Sequence, residues 1–358
     1  MERKITKRFV LHVGFSCNER CVFCYYRDSL EKGTVKDLST KEIKKRLHIA
    51  RRYNKTAVDF SGGEPTIRKD IFEIISYAKK IGFKDICIIT NGLQMNSHEF
   101  CKKLVESGLN DVLFSIHSPS SEIHDSLTQV KGSWSKIMQA MSNMKKLNTN
   151  YRVNTVVNDL NYKDLGSYFS LLKKYNPKEI NLLVFNPAEE TINYKDNNVN
   201  IEDYNIITKN IKEALDKHAS HFNKINIRFL PFCLLKGHEK RIRTMWQKIY
   251  EEKEWDPYLF MRFRKNNLWA LYSFIVGLIT SFPTGIPFYG KKNFHAFLCE
   301  TIQAGRIFYN KKHTKSCKKC SLRKICPGLP RAYIKKYNKT KLYPYHGKVI
   351  KGPLYFGL

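Results

Sequence analysis

"GFSCNERCVFCYY", residues 14–26, places Cys17, Cys21 and Cys24 within eight residues and sets Phe15, Phe23, Tyr25 and Tyr26 among them. The run before it, "RFVLHV", is rich in β-branched and aromatic residues and reads as a strand, so the cysteines begin where that strand ends. The N-terminal "MERKITKRFV" is charged and has no apolar stretch ending in small residues, which excludes a secretory-signal pattern and points to the cytoplasm. There thiols stay reduced, and ten cysteines in tight groups read as metal ligands before disulfides. Three thiolates spaced Cx3CxxC on one loop can bind three corners of an iron–sulfur cube and leave the fourth iron open. A structural zinc site asks for four ligands, and only His12 stands near as a fourth.

Outward from this loop the chain alternates. Six β-rich runs, "RFVLHVGF", "TAVDFSGG", "DICIITNG", "DVLFSIHS", "YRVNTVVN" and "EINLLVFN", are separated by segments of helical apolar spacing such as "STKEIKKRLHIARRY" and "SHEFCKKLVESG". Such alternation specifies βαβ units and a parallel sheet, open or curled, whose functional residues gather at the strand C-termini. Cys17, Gly62 to Pro65, Asn91 with Gly92, Ser115 to His117, Asn158 and Asn186 all fall at those ends. Ser39 stands where the first helix needs an N-cap. Past a polar Asn/Lys-rich stretch, a helix is expected near 202–220, followed by irregular sequence rich in Cys, Pro and aromatics. The expected fold is α/β: a partial (β/α)6 TIM-like barrel over 1–195, then a smaller cysteine-rich domain over 196–358.

The cysteine run at the end of the first strand, "SGGEP" at the end of the second and "ITNG" at the end of the third together resemble the radical S-adenosylmethionine (radical SAM) superfamily over about residues 8–190. The resemblance implies that Cys17, Cys21 and Cys24 hold a 4Fe-4S cluster whose open iron binds S-adenosylmethionine, cleaved by one electron to a deoxyadenosyl radical that takes hydrogen from a substrate. It implies cofactor contacts from Phe23, Gly62, Gly63, Glu64, Pro65, Thr90, Asn91, Ser115 and Asn154. Gly62 and Gly63 allow close backbone approach, Glu64 offers an anionic acceptor to the methionine ammonium, and Pro65 fixes the turn. His117 reads equally as a cofactor contact or as a polar residue satisfied at a strand end, and His124 with Asp125 as a local hydrogen-bonding pair.

A second group, Cys317, Cys320 and Cys326, lies in "HTKSCKKCSLRKICPGLPRAY", with Cys233 and Cys299 upstream. It resembles the SPASM or twitch auxiliary-cluster extension of the superfamily. Pro330 stands where the full pattern has a further cysteine, which favours a single auxiliary 4Fe-4S cluster with Cys233 or Cys299 as fourth ligand. Zinc remains the alternative for this group. Cys87 and Cys101 read as buried small residues.

Residues 268–290, "LWALYSFIVGLITSFPTGIPFYG", carry no charge. Their length suits a membrane span, but Pro283, Gly285 and Pro287 break the helix. A buried or substrate-facing helix is preferred, then an interfacial helix at a membrane surface. The formal net charge of +31, from 63 Lys plus Arg against 32 Asp plus Glu, attracts nucleic acid or other anions.

The function expected is hydrogen abstraction from a peptide or similar small-molecule substrate, giving a crosslink, an epimer or an oxidation, with a flavodoxin or ferredoxin as reductant. The alternatives are an RNA-modifying radical SAM enzyme and a non-enzymatic iron–sulfur electron carrier or sensor. No peptide-binding winged helix precedes residue 8, so peptide recognition is expected from the barrel mouth, the second domain or a separate protein.

Overall fold

The computed structural model describes residues 6–26, 36–186, 202–251, 253–263, 267–281, 294–337 and 340–357. The chain begins with β1 (Arg8–Gly14), α1 (Thr40–Arg52), β2 (Ala57–Gly62), α2 (Ile71–Lys80), β3 (Asp85–Thr90) and α3 (His98–Ser107). It continues through β4 (Asp111–Ser115), α4 (Ser121–Thr128), α5 (Ser133–Lys146), β5 (Asn150–Val157), α6 (Leu165–Tyr175) and β6 (Ile180–Val184). The six expected strands are all present. Ser39 starts α1 as expected, accepting the Glu42 amide at 3.2 Å.

The sheet has eight strands where six were expected. After α7 (Tyr204–His218), β7 (Ile225–Arg228) and β8 (Ile242–Arg243) extend it, every neighbour is parallel, and the order is β1 to β8 without a break. A consecutive parallel order is that of an unclosed barrel, whereas a doubly wound sheet reverses at a switch point. The two added strands are four and two residues long, too short for a β-propensity pattern to announce them. The boundary expected near residue 195 lies outside the described residues, and the sheet runs on beyond it.

Between sheet and helices lies one apolar core, with Phe60, Ile74, Ile88, Phe114, Val153, Leu172 and Leu182 fully buried. Strands covered on both faces need near-continuous apolar runs, as "RFVLHVG" shows. The concave face is different. Arg8 pairs with Asp59, Arg152 with Asp111 at 2.6 Å, Lys224 with Glu179 at 3.1 Å and Glu251 at 2.6 Å, and Arg228 with Glu254. Charges so placed persist because each meets its opposite, across adjacent strands for Arg8 and Arg152 and from the segment beyond β8 for Glu251 and Glu254.

The remaining elements are α8 (Met245–Lys248), α9 (Pro257–Arg262), α10 (Asn267–Ser281), α11 (Phe294–Asn310), the pair β9 (Lys311–Lys312) and β10 (Leu329–Pro330), and α12 (Arg331–Lys336). Helix α10 packs against α11 at glycine contacts: a Cβ on Gly277 would lie 1.8 Å from the Thr301 carbonyl oxygen, and one on Gly305 2.0 Å from that of Ser273. Helix α10, the described part of the charge-free segment, packs on α11 and leaves Leu271, Tyr272, Ile275 and Ile279 exposed. Pro283, Gly285 and Pro287 lie outside the described residues. Among the described residues no helix is long and apolar enough to cross a membrane.

Candidate functional site

The three-cysteine loop is tied down on every side. Asp37 accepts from the Phe15 and Ser16 amides at 2.6 and 3.0 Å, holding the chain just before Cys17. From β2, Gly63 donates to the Gly14 carbonyl and Glu64 to the Ser16 carbonyl, each at 2.9 Å. From the other side, Arg20 and Val22 donate to Thr128 and Leu127 at the end of α4. Asn91 donates through its side chain to Asn18 at 2.8 Å.

Gly62 has φ +124°, and its Cβ would lie 2.0 Å from the Gly14 carbonyl oxygen; a Cβ on Gly63 would lie 2.2 Å from that of Ser16. The glycines let the end of β2 close against the cysteine loop, a packing role beside the one expected for them.

Glu64 is buried, and its two oxygens accept four donors: the Thr66 amide at 2.9 Å, the Thr66 hydroxyl at 2.6 Å, the Thr90 hydroxyl at 2.9 Å and the Asn91 amide at 2.8 Å. Burial pushes its carboxyl upward more strongly than these donors pull it down. Glu64 thus pins the end of β3 to the "GGEP" turn, with Thr90 in turn accepting the Gly92 amide. Pro65 starts the short turn behind Glu64 and does not line the cavity described next.

A cavity of about 1120 Å³ runs along the inner face of the sheet, from Arg8, Asp85, Asp111 and Asn150 at the starts of their strands to the strands' C-terminal ends. It gathers Cys17, Cys21, Cys24, Phe23, Gly62, Gly63, Glu64, Thr90, Asn91, Ser115, His117 and Asn154 on one surface. Ser115 and Asn154 are direct partners across β4 and β5, which is why both face it. Phe23 packs edge-on against His117, ring centroids 4.6 Å apart. His117 Nδ1 accepts the Val156 amide at 3.3 Å, and burial holds its ring neutral, its pKa well below the ordinary value. His117 is thus satisfied at a strand end, and its ring also lines the cavity. His124 and Asp125 are local as expected: His124 accepts the His117 amide at 3.1 Å, and Asp125 takes the Gly132 and Trp134 amides that begin α5. Tyr26 turns inward onto His12 at 2.6 Å, while Tyr25 is 39% exposed.

Burial pushes the Cys17 thiol up to about 12 and raises that of Cys21 well above its ordinary value, and each senses the charge of its neighbours. Glu19, which no sequence pattern singles out, is buried among them, pushed up to about 8 by burial, with Cys21 donating to its carboxylate at 3.2 Å. Buried soft donors beside carboxyl groups suit a cationic metal group, which stabilises thiolates that burial alone disfavours.

The second cysteine group closes around Cys233. It shares a small cavity with Cys317, Cys320 and Cys326, and burial with neighbouring thiols pushes Cys233 up to about 11 and Cys326 up to about 12. Cys299 is elsewhere: fully buried in α11, with its sulfur 3.6 Å from Asp256 and 3.7 Å from His295. Of the five candidates, four converge and Cys299 is removed from that set. Asp256, His295 and Cys299 are the one trio of donor atoms within 4.8 Å of each other among the described residues. Lys55 already pairs with the same Asp256 oxygen that meets His295, so the trio is a hydrogen-bonding network. Cys87 and Cys101 are fully buried, as expected.

Residues 11–172 match the family model described as the Radical SAM superfamily. Curated relatives include a probable GTP 3',8-cyclase of Sulfolobus acidocaldarius, 31% identical over 174 residues, 48% of this chain and 54% of the relative. A second, from Saccharolobus islandicus, is 28% identical over 173 residues, again 48% of this chain and 54% of the relative. The chain spans about half the length of the curated relatives it matches. Among solved structures, Streptococcus suis SuiB bound to precursor peptide SuiA aligns over 96% of this chain and 76% of that one, with TM-score 0.59 and 15% identity. The enzyme anSMEcpe with bound AdoMet and Kp18Cys peptide aligns over 61% and 63%, with TM-score 0.50 and 18% identity. At these identities the solved structures establish the shared fold.

Proposed function

Because residues 11–172 are a radical SAM domain, we propose that the protein is an enzyme that cleaves S-adenosylmethionine reductively and takes a hydrogen atom from a peptide or similar substrate bound in the cavity. One observation carries the reading: a single cavity of about 1120 Å³ is lined both by the Cys17–Cys24 loop and by Gln303, Arg306 and Lys311 of the C-terminal region that also carries the second cysteine group.

Cys17, Cys21 and Cys24 would hold a 4Fe-4S cluster, and Cys233, Cys317, Cys320 and Cys326 an auxiliary one. When bound, the first cluster with S-adenosylmethionine supplies a carbon radical able to break an unreactive C–H bond. The rest is work of this chain. Glu64 and Asn91 fix the ends of β2 and β3 against the loop, and Ser115 and Asn154 offer polar atoms at one height on neighbouring strands. Phe23, His117 and Tyr26 keep water from the loop. A tightly walled cavity protects a radical from side reactions.

The curated relatives are named for a nucleotide substrate, and this supports a second reading in which a nucleotide occupies the cavity. The test is anaerobic reconstitution followed by assays for 5′-deoxyadenosine with peptide and nucleotide substrates. About eight irons per chain and substrate-dependent deoxyadenosine support the reading; protein loaded with iron that leaves S-adenosylmethionine intact sinks it.

A further inference from the structure

Among the cations that line the cavity, Arg8, Arg152, Lys224 and Arg228 each meet a carboxylate. Lys248 on α8 and Lys311 on β9 line it too, and among the described residues neither of these two has an ion pair. Lys311 is 5% exposed, and its ammonium donates to the neutral Asn186 side chain at 3.1 Å. Lys248 is half-buried, and its ammonium lies 5.6 Å from the centre of the Phe229 ring. Lys311 lies 5.8 Å from the same ring. One aromatic ring thus carries two ammonium groups on the wall of one cavity.

Phe229 is itself held in an unusual state. Its φ is +71°, a left-handed conformation rare for a bulky residue and found where surroundings impose it. It follows Arg228, the last residue of β7, and the strained turn brings its ring to both lysines. Arg306 lines the same cavity, over the Phe260 ring at 5.6 Å and bonded to Gln303 at 3.3 Å.

We infer that Lys248 and Lys311, mounted on Phe229, form a subsite for a dianionic group of the substrate, phosphoryl or carboxylate, at the end of the cavity formed by the C-terminal region. Ring faces and an amide oxygen hold an amine in place without supplying a counter-charge, which leaves that place to an incoming anion. Burial lowers both amines to about 7, so a bound dianion favours their charged forms and takes up protons as it binds near neutral pH; the overall charge of +31 draws anions toward the cavity. Acids stand nearby: Glu251 and Glu254 act on Lys248 from a distance, but both are engaged by Lys224 and Arg228. The subsite rests on the proposed enzymatic reading and adds to it the chemistry of one end of the substrate.

The test uses anaerobically reconstituted full-length protein, titrated calorimetrically with inorganic pyrophosphate in one arm and glutarate in the other. Saturable binding of either supports the subsite, and the arm that binds names the anion. Lys248→Gln and Lys311→Gln should each weaken binding about tenfold or more, and the double variant should abolish it. Lys248→Arg should keep it, and so should Lys44→Gln, at a surface lysine paired with Glu73. If Lys311→Gln does not fold, Lys248→Gln alone carries the comparison. Wild-type protein that takes neither probe overturns the inference, as does undiminished binding by the double variant or an equal loss in Lys44→Gln. The same preparation is assayed for S-adenosylmethionine cleavage: cleavage without anion binding overturns the subsite alone, and anion binding without cleavage overturns the enzymatic reading alone.

Discussion

The two cysteine groups are built in opposite ways. Cys17, Cys21 and Cys24 sit on one loop within eight residues, and their positions follow from β1, the glycines of β2 and the end of α4. Cys233 comes from the turn after β7 and joins Cys317, Cys320 and Cys326 from across the chain. A local group is legible from spacing because chain geometry alone brings its members together. A group assembled from distant segments is legible only once the fold is known, and here two upstream cysteines competed for one place.

The sharpest way to break this contrast is to remove one thiol from each group. Cys21→Ala should abolish S-adenosylmethionine cleavage and lower iron by about four per chain, with the circular dichroism of the fold kept. Cys233→Ala should lower iron by about four while Cys299→Ala leaves it unchanged. Loss of iron from Cys299→Ala with none from Cys233→Ala would reverse the assignment of the fourth ligand. Iron and acid-labile sulfide, measured together, decide it.

The first group also depends on the sheet beneath it. Asp59 is fully buried, pairs with Arg8 and accepts the Trp255 indole N–H at 2.9 Å. Asp59→Ala leaves a buried guanidinium without its carboxylate and should cost about 3–5 kcal/mol in urea unfolding. A loss below about 1 kcal/mol would mean that the polar interior of the sheet is dispensable.

Gly63→Ala addresses the joint between β2 and the cysteine loop. Its new Cβ meets two carbonyl oxygens of that loop, so the loop must shift. S-adenosylmethionine should bind about tenfold more weakly, with iron content retained; unchanged affinity would separate the glycines from cofactor binding.

Much of the fold was legible because buried parallel strands write themselves as apolar runs, and the chemistry gathers at their ends. The missed parts had a physical reason. β7 and β8 are recruited to the sheet edge by tertiary contacts rather than by propensity. Glu19 is an ordinary exposed-type residue until the loop folds over it. Lys248 and Lys311 are 63 residues apart in sequence and share only the ring of Phe229, whose left-handed backbone no sequence pattern marks. The charge-free 268–290 segment misled for a related reason: Gly277 serves close packing of α10 on α11, which leaves Leu271, Tyr272, Ile275 and Ile279 of α10 facing outward.

The smallest effect expected belongs to the wall that α9 and α11 place across the cavity. Burial acts to raise the Asp256 carboxyl, but the His295 hydrogen bond and the charge of Lys55 outweigh it and bring it from 3.8 down to about 2. A carboxyl with a depressed folded-state pKa stabilises the fold above its unfolded value and loses that contribution as the pH falls through the folded one. Stability should therefore hold down to pH about 4 and drop by about 2 kcal/mol toward pH 2 from this group alone. In Asp256→Asn the stability should start lower, because Lys55 loses its partner, and this part of the acid slope should vanish. Unfolding free energies at several pH values for both proteins provide the check. A slope unchanged by the substitution would mean that His295 and Lys55 hold Asp256 equally well in either protonation state, and the Asp256–His295–Cys299 trio would then be a packing contact with no electrostatic share in joining α9 to α11.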